Sequence, residues 1–166
     1  MAENFDPDRL PNAKAARYAA LAEEIAAVLE GEANMGARQA TVASMLADAF
    51  AHYFWTGFYL VDPATPGELV VGPYQGTLGC LRIAFGRGVC GTAAAERRCV
   101  IVPDVEAFPG HIACDSRSRS EIVAPVLGAG GRLIGVLDVD STELEAFDEV
   151  DQAGLERILA ETFAGA

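Results

Sequence analysis

The sequence lacks any run of about eighteen apolar residues, so it predicts no transmembrane helix. Basic residues are also scarce, because 12 lysines and arginines stand against 24 aspartates and glutamates. The resulting formal net charge of −12 argues against a nucleic acid or an anionic membrane as the binding partner. Solubility is the simplest role for so much acidity.

No secretory signal is expected either. The first residues carry Glu3, Asp6 and Asp8 where a signal peptide has basic side chains, and no apolar segment follows them. A cytoplasmic location is therefore expected, and the 4 cysteines would lie in a reducing compartment, where metal binding or catalysis is commoner than a structural disulfide. With 166 residues, 51% of them hydrophobic, the chain can bury the core of one domain. We assign residues 1–12 to an N-terminal arm and 13–166 to a single domain.

Hydrophobic periodicity predicts helices near both ends of the chain and strands between them. Helices are expected over residues 13–29, 34–52, 89–96 and 149–163. Strands are expected over residues 53–61, 68–73, 78–85, 99–102, 121–127 and 133–140. This order predicts an α+β fold with a largely antiparallel sheet. The N- and C-terminal helices are expected to pack together on one face, with the short middle helix on the other.

The segment from Phe108 to Glu121 has too little hydrophobic periodicity for a helix or a strand, so a long ordered loop is expected there. It holds His111, Cys114 and Asp115 and ends on Glu121. Long loops inside compact domains are uncommon and are usually functional or disordered. We therefore expect the chemistry on this loop, although its composition alone fits both thiol chemistry and metal binding.

Three of the cysteines have surroundings that suit thiol chemistry. Cys114 lies on the long loop, and Cys80 is expected at the edge of a strand. Cys90 begins the middle helix after two glycines, where the helix dipole and free amides favour a thiolate. Cys99 begins an apolar strand and is expected to be a buried hydrophobe. A zinc site is less well supported, because His111 and Cys114 are the only closely spaced ligand pair.

Acidic and aromatic side chains mark a second group of candidate residues. Asp138 and Asp140 alternate on an otherwise apolar strand, so both are expected on one face. Glu121 begins the neighbouring strand, and carboxyl groups gathered there would raise one another's pKa. Such a cluster can bind an ammonium group and donate a proton, whereas the alternative is a solvated acidic patch. Trp55 and Tyr59 share a strand face and could wall a small apolar pocket, although core packing is the commoner role of such residues.

Six segments together have the pattern of a known family. They lie at residues 55–60 (Trp-Thr-Gly-Phe-Tyr-Leu), 72–76 (Gly-Pro-Tyr-Gln-Gly), 86–93 (Gly-Arg-Gly-Val-Cys-Gly-Thr-Ala), 111–115 (His-Ile-Ala-Cys-Asp), 120–123 (Ser-Glu-Ile-Val) and 135–141 (Gly-Val-Leu-Asp-Val-Asp-Ser). With them the chain closely resembles the free methionine-(R)-sulfoxide reductases, a family of stand-alone GAF domains. The resemblance implies a six-stranded antiparallel sheet with helices on both faces and a pocket capped by the long loop.

The resemblance also implies roles for individual residues. Cys114 corresponds to the catalytic nucleophile, Cys80 to the usual resolving cysteine and Cys90 to a candidate alternative. Asp140 is the expected proton donor, and His111 is expected to order the loop. The substrate-binding positions that the resemblance implies are Trp55, Tyr59, Ile112, Ala113, Glu121, Asp138 and Asp140.

The implied reaction reduces free L-methionine (R)-S-oxide to methionine. Cys114 would become a sulfenic acid and then part of an intramolecular disulfide, which thioredoxin would reopen. No cofactor and no metal ion is expected, and the assembly could be a monomer or a homodimer. The alternative is a non-catalytic GAF domain that senses a small ligand or the redox state. A ligand sensor would not need cysteines at positions 80, 90 and 114.

Overall fold

The computed structural model describes residues 4–166, so Met1–Glu3 of the predicted arm lie outside the described residues. The helices are α1 (Lys14–Val28), α2 (Met35–Ala49), α3 (Gly88–Glu96) and α4 (Glu149–Phe163). The strands are β1 (Trp55–Val61), β2 (Glu68–Gln75), β3 (Arg82–Ala84), β4 (Val100–Val102), β5 (Ser120–Leu127) and β6 (Leu133–Ser141). None of the described helices is long and apolar enough to cross a membrane.

All six strands belong to one sheet in the order β3-β2-β1-β6-β5-β4, and every neighbouring pair is antiparallel. The structure thus confirms the α+β class and the six-stranded antiparallel sheet. At its centre β1 pairs with β6, so that Trp55 lies opposite Asp140 and Gly57 opposite Asp138. This register places the aromatic strand directly beside the acidic one.

The two faces of the sheet are covered by different helices, as predicted. On one face α2 and α4 pack against the central strands, and α1 packs on both helices. Phe58 and Leu137 point into that core and are fully buried. On the other face α3 packs against β5 and β6, and Val89 lies in the buried hydrophobic cluster between the helix and the sheet. The α3 face of the sheet is therefore the face on which a functional site can form.

Two of the helices begin where the sequence indicates. Asn34 accepts a hydrogen bond from the Ala37 amide at 2.9 Å and caps α2. Asp148 accepts one from the Val150 amide at 2.9 Å, and its own amide donates to Asp151, which completes a capping box at the start of α4. Both caps satisfy amides that the first turn of a helix leaves without partners.

The predicted third strand, residues 78–85, is wrong over its first half. Only Arg82–Ala84 forms the strand β3, and residues 76–81 form a loop instead. In this loop Leu78 and Leu81 are 77% and 70% exposed, so the apolar residues there do not mark a buried strand face. Cys80 consequently lies on a loop and not at a strand edge. The loop runs toward the segment 108–119, where Thr77 Oγ1 donates to Asp115 Oδ2 at 2.8 Å.

Candidate active site

A cavity opens on the α3 face of the sheet, between that helix and the two loops. Its walls enclose about 500 Å³ of empty space, including the open mouth. The lining residues are Trp55, Tyr59, Leu78, Ile83, Arg87, Gly88, Val89, Cys90, His111, Ile112, Cys114, Asp115, Ser118, Glu121, Asp138 and Asp140. Most of the sequence-predicted site residues are therefore brought together. Two of them do not line the cavity: Ala113, which is exposed, and Cys80.

A disulfide joins Cys80 to Cys114 at this cavity, with the Cα atoms 5.5 Å apart. It links the loop 76–81 to the loop 108–119, and the exposed Cys114 lines the cavity. Asp115 holds the same two loops together, since it accepts a hydrogen bond from Thr77. Within its own loop it pairs with Arg117 at 2.8 Å. The two thiols thus lie within reach of each other although 34 residues separate them in sequence.

Cys90 is a free, buried cysteine at the start of α3. Burial raises the pKa of its thiol well above the usual value, and the nearby charges of Asp138, Glu121 and Asp140 add to the effect. The expectation that the helix start favours a thiolate at Cys90 is therefore wrong. The loss of solvent and the facing carboxyl groups outweigh the helix dipole, which contributes about 1 kcal/mol or less at most exposed sites.

Three carboxyl groups meet on this face of the sheet. Glu121 on β5 lies opposite Asp140 on β6, and Asp138 lies two residues before Asp140 on the same side. Burial raises the pKa of all three well above the ordinary carboxyl value, and each carboxyl adds to a neighbour's shift by charge repulsion. A hydrogen bond from Ser118 opposes the shift of Asp140. These shifts all favour the protonated forms of the three carboxyl groups.

Asp138 leaves an unused acceptor in the cavity. Its side chain is 6% exposed, and Oδ1 has no hydrogen-bond partner among residues 4–166. A buried acceptor without a partner is costly, so a ligand that donates a hydrogen bond to Oδ1 would bind favourably. The sulfur of Cys90 and oxygens of Glu121 and Asp138 also lie within 4.8 Å of one another, a grouping that could hold a metal ion. A metal ion would need the deprotonated forms of all three groups, and their raised pKa values oppose those forms.

An aromatic wall faces the carboxyl groups. The rings of Trp55 and Tyr59 stack with centroids 5.6 Å apart. The Tyr74 ring also stacks on Trp55, with a centroid distance of 5.0 Å. The indole Nε1 donates to the Thr77 carbonyl at 2.8 Å, which fixes the ring plane. Gly79 lies against this wall, since a Cβ there would be 2.9 Å from the Trp55 ring. The alternation that predicted a shared face for Trp55 and Tyr59 is confirmed.

The histidine of the long loop contacts the carboxyl cluster. His111 Nε2 lies 3.2 Å from Glu121 Oε2. Burial lowers the pKa of His111 and raises that of Glu121, so a hydrogen bond between neutral groups is favoured over an ion pair at neutral pH. This contact fastens the loop to the start of β5. Ile112, the next residue, lies over Gly88 at the start of α3 and closes that side of the cavity.

Sequence reasoning did not single out several of the lining residues, including Leu78, Arg87 and Ser118. Arg87 had a usable signal, because it lies between two glycines directly before the cysteine-containing helix. Leu78 and Ser118 had none, since an isolated leucine or serine in a loop is common on any surface. Their part in the cavity follows from the path of the two loops.

Comparisons with known proteins place this geometry in a family. The GAF domain family model matches residues 37–164. "GAF domain-containing protein A" of Dictyostelium discoideum is 50% identical over 96% of this chain and 97% of its own length. A "Free methionine-R-sulfoxide reductase" of Escherichia coli is 42% identical over 87% of this chain and 85% of its own. The free methionine-R-sulfoxide reductase of Neisseria meningitidis, solved in complex with its substrate, superposes with a TM-score of 0.89 at 47% identity, covering 98% of this chain and 93% of that one.

Proposed function

The chain belongs to the GAF domain family, as one of its free methionine-(R)-sulfoxide reductases, and we propose that it reduces free L-methionine (R)-S-oxide with Cys114 as the nucleophile. The observation that carries the proposal is the disulfide between Cys80 and Cys114 at the cavity. It joins the nucleophile to a second thiol beside buried carboxyl groups and an aromatic wall. Each of these parts has a task in the reduction of a small zwitterionic sulfoxide.

In the first step the Cys114 thiolate attacks the sulfur of the sulfoxide. The Cys114 sulfur supplies two electrons, the sulfoxide oxygen takes a proton and passes to Cys114, and methionine leaves as the thioether. Asp140 is the proposed proton donor, because burial keeps its pKa well above the ordinary value and so keeps it protonated. The product on the protein is a sulfenic acid at Cys114.

In the second step the Cys80 thiol attacks the sulfenic sulfur, and water leaves as the disulfide forms. The bond between Cys80 and Cys114 supports this assignment, since the two loops already hold their Cα atoms 5.5 Å apart. Cys90 is the weaker candidate for the resolving thiol. It is 3% exposed, and its raised pKa leaves little of the nucleophilic thiolate.

The cavity also explains why a free amino acid is the substrate. The methyl group and thioether would pack against Trp55 and Tyr59, while the α-ammonium would donate to the unpartnered Oδ1 of Asp138. Glu121 and Asp140 complete the acidic side of the cavity. A methionine sulfoxide inside a peptide has no free ammonium group, so it would leave the buried Asp138 acceptor without a partner.

We assign regeneration to a thioredoxin-type dithiol of the cytoplasm, which can reopen the disulfide by thiol exchange. The surface around the bond suits a protein partner. Leu78 and Leu81 are 77% and 70% exposed on either side of Cys80, and Ile112 is 37% exposed near Cys114. Exposed apolar side chains gathered around a reactive group are typical of a contact site. Thioredoxin would cover them as its thiol approaches.

The test uses reduced protein and one equivalent of each resolved sulfoxide diastereomer. The (R)-sulfoxide should yield about one methionine per chain together with a Cys80–Cys114 disulfide in a peptide map, and the (S)-sulfoxide should yield neither. If the (R)-sulfoxide releases no methionine, the proposed activity is wrong. Disulfide formation with peroxide but not with sulfoxide would identify a redox sensor instead.

A further inference from the structure

Arg87 is the only lysine or arginine that lines the cavity in the described part of the chain. It occupies the N-cap position of α3, and its exposed side chain makes no capping hydrogen bond. Neither the ion pairs nor the side-chain hydrogen bonds found within residues 4–166 include its guanidinium group. Arg87 therefore presents an unpaired positive charge at the cavity.

The other arginines of this region are already occupied. Arg117 makes two hydrogen bonds to the carboxylate of Asp115, at 3.0 and 2.8 Å. Arg82 contacts Asp62 and Glu68 at 2.6 and 2.7 Å. A negatively charged group entering the cavity would thus find its free cationic partner at Arg87.

The polar groups of the cavity indicate a binding role for the Arg87 guanidinium group. Glu121, Asp138 and Asp140 form one side of it, and their oxygens can accept hydrogen bonds from an ammonium group but offer no positive charge to a carboxylate. Arg87 lies three residues before Cys90, about 4.5 Å along the helix axis, and the Cys90 sulfur is within 4.8 Å of the Glu121 and Asp138 oxygens. In a free amino acid the α-ammonium and α-carboxylate share one carbon atom, so both groups would lie in this part of the cavity.

We infer that Arg87 binds the α-carboxylate of the substrate and so determines its selectivity for a free amino acid. The guanidinium fork matches a carboxylate with two parallel hydrogen bonds, which a lysine cannot reproduce. Asp138 would recognise one end of the zwitterion and Arg87 the other. This role rests on the proposed reductase activity and adds to it a residue that reads the carboxylate.

The test compares two substrates in single-turnover reactions of the reduced protein. One is free L-methionine (R)-S-oxide, and the other is its α-carboxamide, which keeps the ammonium but has no negative charge. For the wild type we expect half-saturation for the free acid to be about tenfold or more below that for the amide. Arg87→Met should raise the value for the free acid to near that for the amide and leave the maximum rate almost unchanged. Arg87→Lys should fall between the two.

Arg132→Met serves as the matched control, because Arg132 is exposed and does not line the cavity. It should retain the wild-type preference for the free acid. The inference would be overturned if Arg87→Met kept that preference, or if the wild type used both substrates equally well. Failure of the reductase activity itself would show differently, since the wild type would then release no methionine from either substrate.

Discussion

Glu121 and Asp140 lie directly opposite each other on β5 and β6, so two carboxyl groups meet on one buried face of the sheet. Like charges in such cross-strand pairs destabilise a sheet, and burial adds to this cost. The raised pKa values of all three carboxyl groups favour their uncharged forms, which reduces this cost. Burial thus favours the protonated acid that the proposed mechanism requires, at a cost in stability.

Replacing Asp138 with asparagine should stabilise the folded protein above the ordinary carboxyl pKa of 3.8. As pH rises through that value the unfolded chain loses a proton that folded Asp138 retains, so wild-type stability falls with pH until the raised pKa is reached. Asparagine cannot ionise, and its advantage should grow over this window by about 1.4 kcal/mol for each pKa unit of the shift. Urea unfolding of the disulfide-bonded proteins between pH 4 and pH 8 measures this difference in the free energy of unfolding.

The control for that series is Asp48→Asn, at an exposed position of α2. Its free energy of unfolding should follow the wild-type pH dependence. Parallel curves for Asp138→Asn and the wild type would show that burial does not hold a proton on Asp138.

Replacing each of the two bonded cysteines should block a different step of the reaction. Cys114→Ser should release no methionine, whereas Cys80→Ser should release about one per chain and then stop as a sulfenic acid. Quantifying methionine after a single addition of sulfoxide distinguishes the two variants. Cys99→Ser, at a buried position outside the cavity, should turn over normally. Equal loss of the first turnover in both Cys114→Ser and Cys80→Ser would contradict the assigned roles.

Leu81→Ser should weaken the contact with thioredoxin and leave the chemistry intact. Leu81 is 70% exposed beside Cys80 and does not line the cavity. Fully burying a leucine side chain contributes about 1.5–3 kcal/mol, so even partial burial of Leu81 under thioredoxin would make kcat/KM for thioredoxin fall several-fold when the leucine is lost. Turnover driven by dithiothreitol should be unchanged, because a small dithiol does not need the patch.

Leu127→Ser tests whether that effect is local. Leu127 is 37% exposed at the far end of β5. The variant should lose no activity with either reductant. An equal loss with thioredoxin and dithiothreitol in Leu81→Ser would point to a disturbed disulfide instead of a docking surface.

Gly79→Ala should push the Trp55 ring into the cavity. A Cβ at this position would lie 2.9 Å from the indole and 3.1 Å from the Tyr59 hydroxyl, and the ring is held by its hydrogen bond to Thr77. Overpacking of this kind typically costs about 1–3 kcal/mol, so half-saturation by sulfoxide should rise about tenfold in single-turnover reactions. Gly165→Ala, where a Cβ would meet no atom within 4 Å, should bind as the wild type does.

Local patterns predicted most of the secondary structure and part of the site. The period of two along a strand placed Trp55 and Tyr59 on one face, and also Asp138 and Asp140, because side chains alternate wherever a strand is straight enough. The cap at Asp148 marked the start of α4 from neighbouring residues alone. The third strand was mispredicted because Leu78 and Leu81 are apolar yet exposed, and a sequence pattern does not distinguish a buried leucine from one on a contact surface.

By itself, then, the sequence determined the order of the elements, the faces of the strands and the residue types available for thiol chemistry. Those properties depend on interactions between residues that are near one another in the chain. The family resemblance implied that Cys80 resolves Cys114, and the tertiary structure shows how the two loops bring them together. The tertiary structure alone decided that Arg87 is the free cation of the cavity. It also reversed the expectation for Cys90, because a thiol's pKa depends on the solvent and charges around it. Those surroundings come from β5 and β6, which are brought to the start of α3 only when the sheet folds.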